Sequence, residues 1–123
     1  MNQPTWVINE QHWLNDCAGV MRACRNYLSG DIGLIEASRE LVSYAHRLRE
    51  TNDSDFVFFI AVNSETDHLP VGKWREGWAA DSLAKKDKEV EEVEEFYRRD
   101  AQIAAKSLLS KFNTAEQVAA ANP

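Results

Sequence analysis

Apolar side chains recur along this chain at the three-and-four spacing of helices in three separate stretches. From His12 to Leu28 they fall at Trp13, Cys17, Val20, Cys24 and Leu28, which predicts a helix with one apolar face. Ser29-Gly30 supplies a C-terminal stop, and Asp31 is placed to act as N-cap of a second helix. The second stripe runs Ile35, Ser38, Val42, Ala45 and Leu48, joined by Leu34 and Leu41, while Arg39, Glu40, Arg47 and Arg49 sit mostly off it. The two stretches are expected to form an αα-hairpin with a tight connection.

Thr51-Asn52-Asp53-Ser54 breaks the pattern with polar residues, and Phe56 to Val62 is then apolar at every position. Periodicity alone leaves that run open between a strand and a buried helix. A lone strand has no partner, and the chain offers no second convincing one. A central buried helix over Asp55 to Asn63, capped by Asp53 or Ser54, is the more economical expectation. Ser64 to Ala80 is irregular, with Pro70 and Gly72 marking a turn and Pro70 disfavouring helical geometry at Leu69.

A long helix comes next, capped by Asp81 or Ser82. Its stripe is Leu83, Val90, Val93, Tyr97, Ala101, Ala104, Leu108 and Phe112, and it contains neither Gly nor Pro. Thirty residues of helix span about 45 Å, longer than the body of a domain this small, so part of it must protrude, bend or pack against another chain. The Ala-rich stretch 113–123 is weakly patterned and expected to fray. The fold class is therefore all-α, one helical domain over residues 1–112 with a weakly ordered tail at 113–123. Its parts are an N-terminal helical hairpin, a short buried helix, an irregular central loop and a long C-terminal helix.

Composition narrows the function more than the fold. Of 123 residues 44% are hydrophobic, including four Trp, five Phe and three Tyr, enough apolar surface for one core and too much for a disordered chain. Twenty acids against fourteen bases give a net charge of −6, which makes nucleic acid a poor partner because a phosphate backbone demands a concentrated basic face. Met1 to Val20 carries no Lys or Arg and lacks the parts of a signal peptide, and no apolar run approaches the roughly 18 residues of a membrane span. A cytoplasmic protein without membrane contact is expected. Cys17 and Cys24 lie two turns apart on one helix, about 10 Å along its axis, too far for a mutual disulfide. They are read as small buried apolar residues, with no metal and no cofactor expected.

Two constellations carry candidate chemistry. The first is the acidic run Asp87, Glu89, Glu91, Glu92, Glu94 and Glu95, interrupted by Lys88. Pairs one turn apart, Lys88–Glu92, Glu94–Arg98 and Glu95–Arg99, support a solvated face, but the acids outnumber these partners. Glu91, Glu92, Glu94 and Glu95 are therefore candidates for docking a basic protein partner by electrostatic steering. The second is the stretch from Ser64 to Trp78. On the plainer view Ser64 and Asp67 form a capping-box variant, Glu65 or Asp67 pairs with Arg75, and Trp74 and Trp78 cover the core. On the functional view Glu65, Asp67, His68 and Arg75 converge on a pocket walled by Trp74 and Trp78.

Glu65 and His68 have the Glu-x-x-His spacing that di-iron helical bundles use twice, but it occurs once here and Pro70 ends the required helix. No nucleophile elbow, glycine-rich phosphate loop or dinucleotide fingerprint is present, and no catalytic residue is expected. His12 and His46 are read as partly exposed helix positions, and Trp6 and Trp13 as anchors of the N-terminal arm.

Ser64-Glu65-Thr66-Asp67 with Leu69-Pro70 and Gly72, then Arg75-Glu76 and Trp78, then Lys86-Asp87-Lys88-Glu89, resembles a family of small bacterial proteins of unknown function. The likeness covers the middle and later parts of the chain. It implies a bacterial, cytoplasmic origin and singles out the central loop, but it brings no activity. At position 74 the resemblance implies an aliphatic residue where this chain has Trp74.

Three functions remain open. The first is a small acidic binding protein, in its most concrete form an immunity protein that neutralises a toxin by offering carboxylates to a basic active site. The second is a small enzyme or ligand-binding protein using the 64–78 loop. The third is an assembly or regulatory protein whose long helix makes a homodimer.

Overall fold

The computed structural model describes residues 3–121, with side chains through Asn113. It is all-helical: α1 (Glu10–Ser29), α2 (Leu34–Arg47), α3 (Ser54–Thr66), a single 3-10 turn (Gly72–Arg75) and α4 (Ala80–Ala121), with no strand among the described residues. The apolar run at Phe56 to Val62 is thus helix. The expected weak tail over 113–123 lies, beyond Asn113, outside the residues whose side chains are described.

Local chemistry sets most element ends. Asn9 accepts a hydrogen bond from the His12 amide at 3.0 Å and caps α1. Gly30 ends α1 with φ 85°, a left-handed conformation that glycine adopts without steric cost, and its N–H returns to the carbonyls of Asn26 and Tyr27. Asp53 Oδ1 accepts from the amides of Asp55 at 2.9 Å and Phe56 at 3.3 Å, capping α3.

The start of α2 departs from expectation. Asp31 is not its cap: the helix begins at Leu34, the N-cap position is Gly33, and no side chain there bonds the helix. Instead the Leu34 amide donates to Glu94 Oε1 of α4 at 2.6 Å. Gly33 makes room for this, because a Cβ there would stand 2.6 Å from the same carboxylate oxygen.

One core holds the bundle together. Trp13, Cys17, Val20 and Cys24 of α1 meet Leu34, Leu41 and Ala45 of α2, Phe56, Phe59 and Val62 of α3, and Ala101, Ala104, Ala105, Leu108 and Phe112 of α4. The alanines let α4 approach closely, and it packs chiefly along α1. Phe56 and Phe112 meet edge to face at 6.0 Å, the arrangement aromatic quadrupoles favour. α3 is buried along one face only, since Val57 and Ala61 are exposed. Cys17 and Cys24 are free and wholly buried, and burial above all pushes both thiols up to about 12, so neither is a ready nucleophile. Trp13 is buried in the core, while Trp6 is half-buried with the Arg49 guanidinium 4.6 Å from its ring centroid.

A smaller cluster of Ile35, Leu69 and Val71, with Val90 and Val93 against it, lies under the central loop. At 1.5 Å per residue the 42 residues of α4 would span about 63 Å. Its C-terminal part therefore serves the main core while its N-terminal part carries the loop.

Candidate functional site

The central loop is fastened from below by α2. At the end of α3 the Thr66 hydroxyl donates to the Val62 carbonyl at 2.7 Å, and the chain turns back through the Leu69 amide, which donates to Thr66 O at 3.0 Å. Arg39 of α2 then donates through Nη2 to the carbonyls of Leu69 at 2.6 Å and Thr66 at 3.1 Å. A cation on these orphan carbonyls also complements the negative end of the helix dipole. Burial pulls Arg39 below its ordinary pKa, opposed by the charges of Asp67 and Glu36. Its guanidinium also lies 4.8 Å from the centroid of Trp74, with Lys73 Nζ at 5.2 Å, so Trp74 carries two cations.

The result is a cleft of about 290 Å³ lined by Leu69, Pro70, Trp74, Trp78, Arg39, Asn63, Asp67 and His68. Trp74 is 50% exposed and Trp78 41%. They do not cover the core, as the plainer view of the loop held; both remain half-exposed at the cleft, with Arg39 and Lys73 over the Trp74 ring. The side chains of Asn63 and Trp78 make no hydrogen bond among the described residues.

Four of the six loop residues proposed from sequence, Asp67, His68, Trp74 and Trp78, come together in this cleft. The other two are drawn away by α4. The Tyr97 hydroxyl donates to Glu65 Oε2 at 2.6 Å, and Arg75 forks onto Asp87, with Nη2 3.1 Å from Oδ2. The pairing of Arg75 with Glu65 or Asp67 is therefore replaced by one with Asp87, whose hydrogen bond lifts the Arg75 pKa and lowers that of Asp87. Ser64 and Asp67 form no capping box, because Ser64 occupies the last turn of α3.

His68 stands between two carboxylates: Nε2 lies 3.2 Å from Glu89 Oε2 and Nδ1 3.9 Å from Asp67 Oδ1. The His68 bond, with Lys86 nearby, holds the Glu89 carboxyl below its ordinary value. Glu65 and His68 thus turn to different partners. Among the described residues no group of three His, Cys, Asp or Glu side chains is placed to hold a metal ion.

Arg39 and Asn63 were missed by sequence reasoning. Arg39 read as a charge off the stripe of α2, and Asn63 as the polar end of an apolar run; neither position carries a local signal that it faces the loop.

The acidic run is divided by the fold. Asp87, Glu89 and Glu94 make contacts within the chain, whereas Glu91, Glu92 and Glu95 are exposed. Glu94 differs from a solvated acid: burial raises its pKa, against the lowering effect of the Leu34 and Ile35 amides and Arg98. Beside these acids Phe96 is 78% exposed, its ring edge-on to Tyr97 at 4.7 Å.

No protein-family model, curated protein or solved structure matches this chain. Among the described residues no helix is long and apolar enough to cross a membrane.

Proposed function

We propose that this protein binds a small, neutral, hydroxyl-rich ring, a sugar, in the cleft between Trp74 and Trp78. The observation that carries the reading is a pair of half-exposed indoles lining one cleft with the Asn63 side chain, which has no internal hydrogen bond among the described residues. The C–H face of a sugar ring stacks on the Trp78 indole, and its hydroxyls suit the Asn63 amide and the Asp67 carboxylate. Charge argues for a neutral ligand. Arg39 and Lys73 on Trp74 oppose a cation, and Asp67 with Glu89 beside His68 opposes an anion. The volume lies at the small end of ligand clefts, roughly 300–1,000 Å³, and suits one ring better than a long chain. The buried free thiols of Cys17 and Cys24 fit a reducing, cytoplasmic setting.

The test is a screen of the purified protein against an array of neutral saccharides, with calorimetry on each hit. Trp78→Ala should abolish binding, and Asp67→Asn should weaken it about tenfold, the cost of one good hydrogen bond to a charged group. Absence of binding across the array, or binding indifferent to Trp78→Ala, removes this reading.

A second reading, an acidic binding protein of the immunity type, is favoured by the exposure of Glu91, Glu92 and Glu95 on one stretch of α4. Reversing those three charges should slow association with a basic partner and flatten its salt dependence. Unchanged kinetics would discard it.

A further inference from the structure

Away from the cleft, α4 presents a face that the bundle does not use. Phe96 and Ile103 lie two turns apart on it, exposed at 78% and 59%. At 3.6 residues per turn, Glu92, Arg99, Asp100 and Lys106 flank the pair, and all four are exposed. Beside Phe96 a groove of about 400 Å³ is lined by Val93, Tyr97 and Glu65, among others. Two large apolar side chains ringed by charge form a small interface core with a polar rim.

We propose that this face pairs with the same face of a second copy of the chain, antiparallel, about a two-fold axis crossing α4 between Arg99 and Asp100. That register sets Phe96 of each copy opposite Ile103 of the other and Arg99 opposite Asp100. Glu92 falls within one residue of Lys106 along the axis. The isologous contact is closed, as two-fold pairing requires.

Charge order along the helix selects the antiparallel mode and a second copy as occupant. On this face the acid Glu92 stands before Phe96, and Arg99, Asp100 and Lys106 come after it. Reversing the partner's direction puts opposite signs together, whereas a parallel pair sets like against like. A purely basic partner would meet Arg99 and Lys106 as well as the acids. The groove beside Phe96 receives Ile103 of the second copy. The pairing uses none of the cleft residues, so it stands or falls independently of sugar binding.

Sedimentation equilibrium of the full chain tests the proposal. A monomer–dimer equilibrium is expected, with Phe96→Asp raising the dissociation constant about thirtyfold, as for loss of an interface hot spot. Phe96 is exposed, so circular dichroism of this variant should match the parent. Arg99→Asp and Asp100→Arg should each self-associate weakly, because each opposes like charges across the axis. Mixed together they should form a heterodimer, since every crossing pair then has opposite signs. A monomer at every concentration, a dimer indifferent to Phe96→Asp, or a mixture no tighter than its components overturns the proposal. So does polylysine binding that Phe96→Asp weakens in a chain that remains monomeric, which would give this face to a basic partner instead.

Discussion

From Ala101 to Phe112, α4 places Ala101, Ala104, Ala105, Leu108 and Phe112 in the main core. A polar clasp of Lys111 on Asp53 at 2.7 Å and on Asp55 at 2.6 Å reinforces it. Nearer its start, through Val90 and Val93, the same helix leans on a small cluster around Ile35, Leu69 and Val71. There it is joined to its neighbours largely by separate polar contacts, Arg75–Asp87, His68–Glu89, Tyr97–Glu65 and Leu34–Glu94. The C-terminal part is held by area removed from water, which acts cooperatively; the N-terminal part is held by bonds that can break one at a time. The cleft belongs to the N-terminal part. A loop so attached can loosen while the bundle stays folded, which suits a site that must admit a ligand.

The largest expected effect lies in the main core. Phe56→Ala should cost about 3–5 kcal/mol in urea unfolding, whereas Val90→Ala, over the smaller cluster, should cost about 1 kcal/mol. Equal costs would abolish the distinction between the two parts. Next is the cap supplied by tertiary contact: Glu94→Ala should lose about 1 kcal/mol through the exposed α2 terminus. Glu94→Gln, which keeps an acceptor, should stay within a few tenths.

Asp53 and Glu94 respond to acid with opposite signs. Burial pushes the Asp53 carboxyl up, but bonds from Lys111, Phe56 and Asp55 outweigh it and leave it below 3.8. Its contribution is present above that ordinary value and is lost as pH falls through the lowered native one. Glu94 is raised above 4.5, chiefly by burial, so stability is gained as pH falls through its raised value toward 4.5. Unfolding free energies measured against pH should therefore show Asp53→Asn reducing the acid loss and Glu94→Gln removing the gain. The smallest global effect is Arg75→Ala. The unfolding midpoint should hardly move, while trypsin cleavage after Lys73 quickens and tryptophan emission shifts as the loop is released from Asp87.

The helical scaffold was legible because its signals are short-range. The stripe of α1, the Gly30 stop, the Asp53 cap and the run from Leu83 to Phe112 all depend on residues within a turn or two of one another. Of the cleft, the indoles with Asp67 and His68 were legible as a turn-rich stretch dense in polar and aromatic groups. Their partners were not. Glu65 and Arg75 looked equally available to each other, and only the course of α4 past the loop gave them Tyr97 and Asp87. Arg39 and Asn63 joined the site from α2 and α3 without any local mark.

By itself the sequence determined which stretches are helical, where α1 stops and where α3 is capped, since capping geometry and apolar periodicity are encoded within a few residues; α2 and α4 begin elsewhere than at Asp31 and at Asp81 or Ser82. Tertiary structure decided which polar groups meet. Glu94 reaches the amide of Leu34, sixty residues away in the chain, and hydrogen bonds fade steeply beyond about 3 Å. No spacing rule within the sequence measures that distance, so the acid that looked like surface became a cap and the loop arginine became a tether.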